Sequence, residues 1–97
     1  MLTLPSTLTH EAAPAFVQSL APLVQAQPAG VVADAGALRK FDSSALAVLL
    51  ECRRQALAAG KTFSVHGLPA SLRQLAGLYG IAELVPETAD LHTPPVG

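Results

Sequence analysis

The chain has no tryptophan, one tyrosine, three phenylalanines and one cysteine, and charged residues make up 13% of its 97 positions. Each scarcity excludes something. Without stacking aromatics or a dense basic field, nucleic-acid binding has no support. The single cysteine, Cys52, cannot close an internal disulfide and suits a reducing compartment. Pro and Gly interrupt every apolar stretch before it reaches the ~18 residues of a membrane-spanning helix. The opening Met1-Leu2-Thr3-Leu4-Pro5 carries no basic n-region, so a secretory signal is not expected.

What is present is apolar. The hydrophobic share is 51%, enough for one core and too high for a disordered chain, and the length leaves room for a single domain. Residues 1–85 read as that domain and 86–97, with three prolines, as a flexible tail. The net charge of −1 hides an asymmetry: all six basic residues lie between Arg39 and Arg73, a stretch carrying +4 against −5 elsewhere.

Periodicity places the elements. Leu2-Thr3-Leu4 alternates as a short edge strand stopped by Pro5, and a second extended piece follows near Leu8. A helix then opens either at Thr9, with Glu11 in its first turn, or nearer Ala13, since Pro14 cannot donate inside a helix. Its apolar stripe is Ala13, Phe16, Leu20, Leu23 and Val24, with a kink expected at Pro22. Gly30-Val31-Val32-Ala33-Asp34 looks like a buried central strand. The strongest helix opens at Asp42, Ser43 or Ser44 and runs to Ala59, stopped by Gly60. Thr62-Phe63-Ser64-Val65-His66 alternates with Phe63 and Val65 on one face. Pro69 starts a last helix striped by Leu72, Leu75, Ala76 and Tyr79 and ended by Gly80, with Ile81, Leu84 and Val85 closing the core. The order β–α–β–α–β–α implies a small single-domain α/β fold: a mixed, mainly parallel sheet of about four short strands with three to four helices.

Catalytic chemistry finds no motif. His10, His66 and His92 have no ligand spacing with Cys52 or an acidic pair, so no metal is expected. The turn after Asp34, Ala35-Gly36-Ala37-Leu38, is not a phosphate loop, so no nucleotide cofactor is implied. No base neighbours Ser43 in sequence apart from Asp42. Asp42-Ser43-Ser44-Ala45-Leu46 has two readings. It is an ordinary helix cap, or it is a cap whose exposed hydroxyl also accepts a phosphate stabilised by the helix dipole. On the helix behind it, Ala45, Leu46, Val48, Leu49, Leu50, Cys52, Ala56 and Leu57 spread over ~200°, twice the stripe one sheet contact requires. Arg53 falls inside this arc and Arg54 outside it. The arc is either wedged wholly in the core or shared with a partner.

These residues resemble a known family. Asp42-Ser43-Ser44-Ala45-Leu46 after the central strand, with Leu49-Leu50-Glu51 following, is similar to the STAS domain of anti-sigma-factor antagonists and sulfate-transporter tails. Leu75-Ala76-Gly77-Leu78-Tyr79-Gly80-Ile81 after Gly67-Leu68-Pro69 narrows the resemblance to the MlaB-like branch, over roughly residues 2 to 85. The resemblance implies a cytoplasmic, non-enzymatic subunit of a phospholipid-transport ABC transporter. Such a subunit binds the ATPase subunit and associates indirectly with the membrane permease, peripheral to the inner membrane through its partner and without inserting into it. It places partner binding or regulation around the helix start, Asp42, Ser43 and Ser44, and the wide apolar arc with the basic stretch adds Arg53 and Arg54 to that surface. In the antagonists, the serine matching Ser43 is phosphorylated. Those proteins usually carry Gly where Ala45 stands here, which weakens the phospho-switch and leaves the MlaB-like reading intact.

Overall fold

The computed structural model describes residues 1–88. Its strands are β1 (Leu2–Thr3), β2 (Thr7–Leu8), β3 (Gly30–Asp34), β4 (Lys40–Phe41) and β5 (Thr62–His66). Its α-helices are α1 (Ala13–Gln18), α2 (Leu20–Gln25), α3 (Ser44–Ala58) and α4 (Ala70–Leu78), followed by a short 3-10 turn at Ala82–Leu84.

Every strand pair among the described residues is parallel. The main sheet has the order β1-β3-β5, with Leu2 opposite Ala33 and Val31 opposite Phe63. Period-two alternation turns Leu2, Val31, Ala33, Phe63 and Val65 to the core, and all five are buried. The central position expected for 30–34 is therefore found. Beyond β5, the Val65 N–H donates to the Pro86 carbonyl at 2.8 Å and the Thr88 N–H to the Val65 carbonyl at 2.7 Å. Pro86–Thr88, the first residues of the stretch read as a tail, thus run along the free side of β5, and Arg73 grips Glu87 there through two hydrogen bonds. The rest of that stretch, 89–97, lies outside the described residues.

A second ladder joins β2 to β4, pairing Thr7 with Lys40 and Leu8 with Phe41. The sequence reading treated 35–41 as a plain crossover, because a two-residue strand has no periodicity to detect. The sheet is parallel rather than mixed, and the strands divide between two ladders.

The first helix begins at Ala13, the later of the two starts considered, and Pro14 sits in its first turn where no donor is needed. It breaks at Ser19 rather than bending at Pro22. The missing N–H of Pro22 leaves the Gln18 carbonyl without its i+4 donor, so the chain separates into α1 and α2 at that point. The Ser19 hydroxyl turns back onto the end of α1, donating to the Phe16 carbonyl at 2.7 Å.

α3 is the longest element and the hub of the core. Ala45, Leu46, Val48, Leu49, Cys52 and Ala56 are buried, because α3 packs on β5 below and against α1, α2 and α4 at its flanks. That crowding accounts for most of the wide apolar arc, so the wedged reading holds for these six residues. Gly60 ends the helix with φ +75°, a conformation costly for other residues. Gly67, φ +71°, is required for a second reason: a Cβ there would stand 3.1 Å from the backbone of Gly36.

Three core expectations fail. Leu23, Tyr79 and Leu84 are exposed, as is Leu57 on the arc of α3. Leu23, Leu57, Tyr79 and Leu84 sit in or just beyond the last turn of a helix, where the chain has already left the layer covering the sheet. Pro69 caps α4 from one residue outside it rather than opening it.

Candidate partner-binding site

The start of α3 is held by chain segments distant in sequence. The Ser6 carbonyl accepts from the Arg39 and Lys40 N–H groups, at 2.8 and 3.0 Å, and the β2–β4 ladder continues the registration. This brings His10 beside Asp42. The Asp42 carboxylate then accepts the His10 N–H at 3.0 Å and the Ser44 N–H at 2.8 Å. Hydrogen bonds to the charged form lower the Asp42 pKa below its ordinary value, the His10 amide contributing most and the Ser44 amide next.

Asp42 is therefore the cap of α3, and Ser43 is not. Ser43 occupies the N-cap position, but its side chain makes no capping hydrogen bond and it is exposed. Both carboxylate oxygens of Asp42 are taken by amides, so the adjacent acid is not arranged as a base for the Ser43 hydroxyl. What the geometry presents is a free hydroxyl on a braced helix start.

Ser44 is half-buried and opens onto a groove of about 320 Å³ between α1 and α3. Ala13, Pro14, Val17, Ala47 and Val48 line it, with His10 and Ser44 at one end and Glu51 at the other. The sequence reading missed this groove. Its signal is the small residues Ala13 and Ala47 on facing helices, which is visible only once the helices are paired.

Arg53 and Arg54 are not part of the helix start. They lie nine and ten residues beyond Ser44, ~14 Å along the axis. Arg54 is exposed as expected, but it is not isolated: its guanidinium binds Glu51 at 2.9 and 2.6 Å. Gln55 adds a third hydrogen bond, and the Glu51 carboxyl is pushed down to about 2, chiefly by Arg54. The pair was readable as an i, i+3 spacing. Arg53 is half-buried. Cys52 is buried, and desolvation raises its thiol to about 11. Among the described residues no group of His, Cys, Asp and Glu could hold a metal ion, and no helix is long and apolar enough to cross a membrane.

A parallel sheet covered by helices on its core face, with a braced serine at the head of its central helix, defines a class. The fold matches the structure titled "Structure of the Anti-Sigma Factor Antagonist SpoIIAA in its Unphosphorylated Form" with a TM-score of 0.67 at 16% identity, covering 91% of this chain and 77% of that one. The family described as "Mlab, STAS domain" matches residues 1–86, and the chain belongs to that family. No curated protein matches the sequence.

Proposed function

We propose that this chain is a non-enzymatic accessory subunit of an Mla-type phospholipid ABC transporter, which binds the cytoplasmic ATPase subunit and supports its assembly or activity. The observation that carries this reading is the α3 start. Asp42 is committed to bracing, Ser43 is left free, and an apolar groove opens directly beside Ser44. A rigid polar tip next to a desolvated slot is what protein recognition uses. The family match over residues 1–86 supports the choice of partner. In this reading the protein is cytoplasmic and reaches the inner membrane through the ATPase and its permease, with no cofactor and no chemistry of its own.

The test is binding to the ATPase subunit, with Ser43→Glu as the probe. A carboxylate near a helix N-terminus is tolerated by the fold, whereas an unmatched charge in an interface is costly. Affinity should fall at least ~10-fold with the thermal midpoint unchanged. Equal affinity would remove the site from this helix start. Failure to bind any such ATPase would remove the function.

A second reading has its own observation. Ser43 is exposed and unbonded at a helix start, in a fold shared with an anti-sigma-factor antagonist. Phosphorylation of Ser43 by a serine kinase of the anti-sigma type would identify the protein as such a switch. Ala45 in place of the usual Gly counts against it.

A further inference from the structure

In an all-parallel sheet each crossover helix ends at the same side, the edge where the strands begin. Five of the six exposed large hydrophobics among the described residues collect there. They are Leu23 on α2, Leu57 in the last turn of α3, Leu78 and Tyr79 at the end of α4, and Leu84 in the 3-10 turn. Leu78 is 79% exposed, Tyr79 55% and Leu57 48%. The sixth, Met1, stands apart from them, because β1 begins level with the far half of β3, with Leu2 opposite Ala33. Lys61 confirms the placement of α2: from the residue before β5, its ammonium reaches the carbonyls of Val24, Gln25 and Gln27.

The connections at this edge, 26–29, 59–61 and 79–84, contain only two charged side chains, Lys61 and Glu83. The Lys61 charge is already committed to three carbonyls. A lipid surface would require free cations here, and none is offered. The five side chains together present roughly 500 Å² of apolar surface, and the alanines, prolines and glycines between them bring the face toward the ~800 Å² per partner of a standard interface. Gly77 and Gly80 add no side chain to crowd the approach to Leu78 and Tyr79, since a Cβ at either would point into open space.

We propose that this edge is the contact between two copies of the chain, joined about a two-fold axis. An apolar face whose connections carry only Lys61, drawn onto three carbonyls, and Glu83 meets its own image with little opposition of like charges. The dimer leaves both α3 starts free and pointing away from each other, so it is independent of the partner reading above.

Sedimentation equilibrium from about 1 μM to about 1 mM tests this. The mass of the wild type should climb from 10.0 kDa toward about twice that value with concentration. Leu57→Lys, Leu78→Lys and their double variant should hold at 10.0 kDa. Lysine in the last turn of a helix favours the helix, so loss of association is not loss of fold, and an unchanged thermal midpoint checks it. Ser43→Glu, on the opposite edge, should associate like the wild type. Tyr79 is the only tyrosine in a chain without tryptophan, so its emission should change with concentration in the wild type alone. A wild type that stays at 10.0 kDa throughout overturns the proposal. Lysine variants that still dimerise overturn it as well, by moving the contact elsewhere.

Discussion

Asp42 joins two parts of the chain 32 residues apart through one carboxylate, and its lowered pKa makes that joint sensitive to acid. A group with a depressed folded pKa stabilises the protein above its unfolded value, here 3.8, and the contribution fades as pH falls through the lower folded value. Asp42→Ala should therefore lower Tm by a few degrees at neutral pH, and the gap from wild type should narrow in acid, as pH falls below 3.8 and the carboxylate is protonated in both states. An equal gap at neutral and acid pH would mean that the amides are satisfied without the charge. Glu51, held at about 2 by Arg54, has the same sign over a window from 4.5 downward, but its pair lies on the surface and salt should screen it. Cys52 supplies the contrast. With its thiol at about 11 and no solvent access, it should resist a thiol reagent in the native state and react at once in denaturant.

Between elements, the most concentrated polar contact is Lys61 on the end of α2. One ammonium donates to the Val24 and Gln25 carbonyls at 2.9 and 3.1 Å, in a helix of only six residues with no basic residue in its last turn, and to the Gln27 carbonyl just beyond it at 2.6 Å. Lys61→Met should cost about 2 kcal/mol and raise amide exchange in α2 ahead of α3. Uniform protection across both helices would show that α2 is held by packing alone. Truncating the hub, Leu49→Ala, should cost more, roughly 3 kcal/mol by chemical denaturation, since Leu49 is fully buried among elements that cannot all close on the void.

The sequence made these elements legible to different degrees, for physical reasons. α3 and β5 were readable because each repeats its period and is stopped by a glycine, Gly60 or Gly67, and β3 because a short apolar run follows Pro28 and Gly30. The β2–β4 ladder was not, since two residues cannot show a period. Nor was the division of labour between Asp42 and Ser43, because either side chain can cap and the choice rests on where His10 arrives. Tyr79 fits the α4 stripe on a helical wheel, yet the helix stops at Leu78 and leaves the ring outside the core layer.

At the scale of the whole molecule the two ends of the sheet differ in character. The carboxyl end gathers Asp34, His66, Asp42, Ser43 and Ser44, while the amino end gathers leucine and tyrosine. In the two proposals above, the first end takes a partner through a polar tip beside an apolar groove, and the second makes contact through apolar area alone. Arg54→Glu probes the surface between them. It replaces an ion pair with two adjacent carboxylates on an exposed turn, so Tm should fall slightly at low salt and recover at high salt. Any slowing of association with the proposed ATPase partner should show the same salt dependence. A salt-independent loss would place Arg54 inside the interface rather than at its rim.

The position of the two outermost strands has a mechanical consequence. β1 lies at one margin of the sheet and Pro86–Thr88 at the other, and both run in the same direction as β3 and β5. Tension applied at residues 1 and 88 pulls these margins in opposite senses along their length. The first yield point is the outer segment, held to β5 by two backbone hydrogen bonds and the grip of Arg73 on Glu87. What remains is loaded in shear, so the evenly spaced bonds of a parallel ladder must break together rather than one after another. A domain built in this way would release in two steps, the outer segment first and then the short β1–β3 ladder loaded in shear.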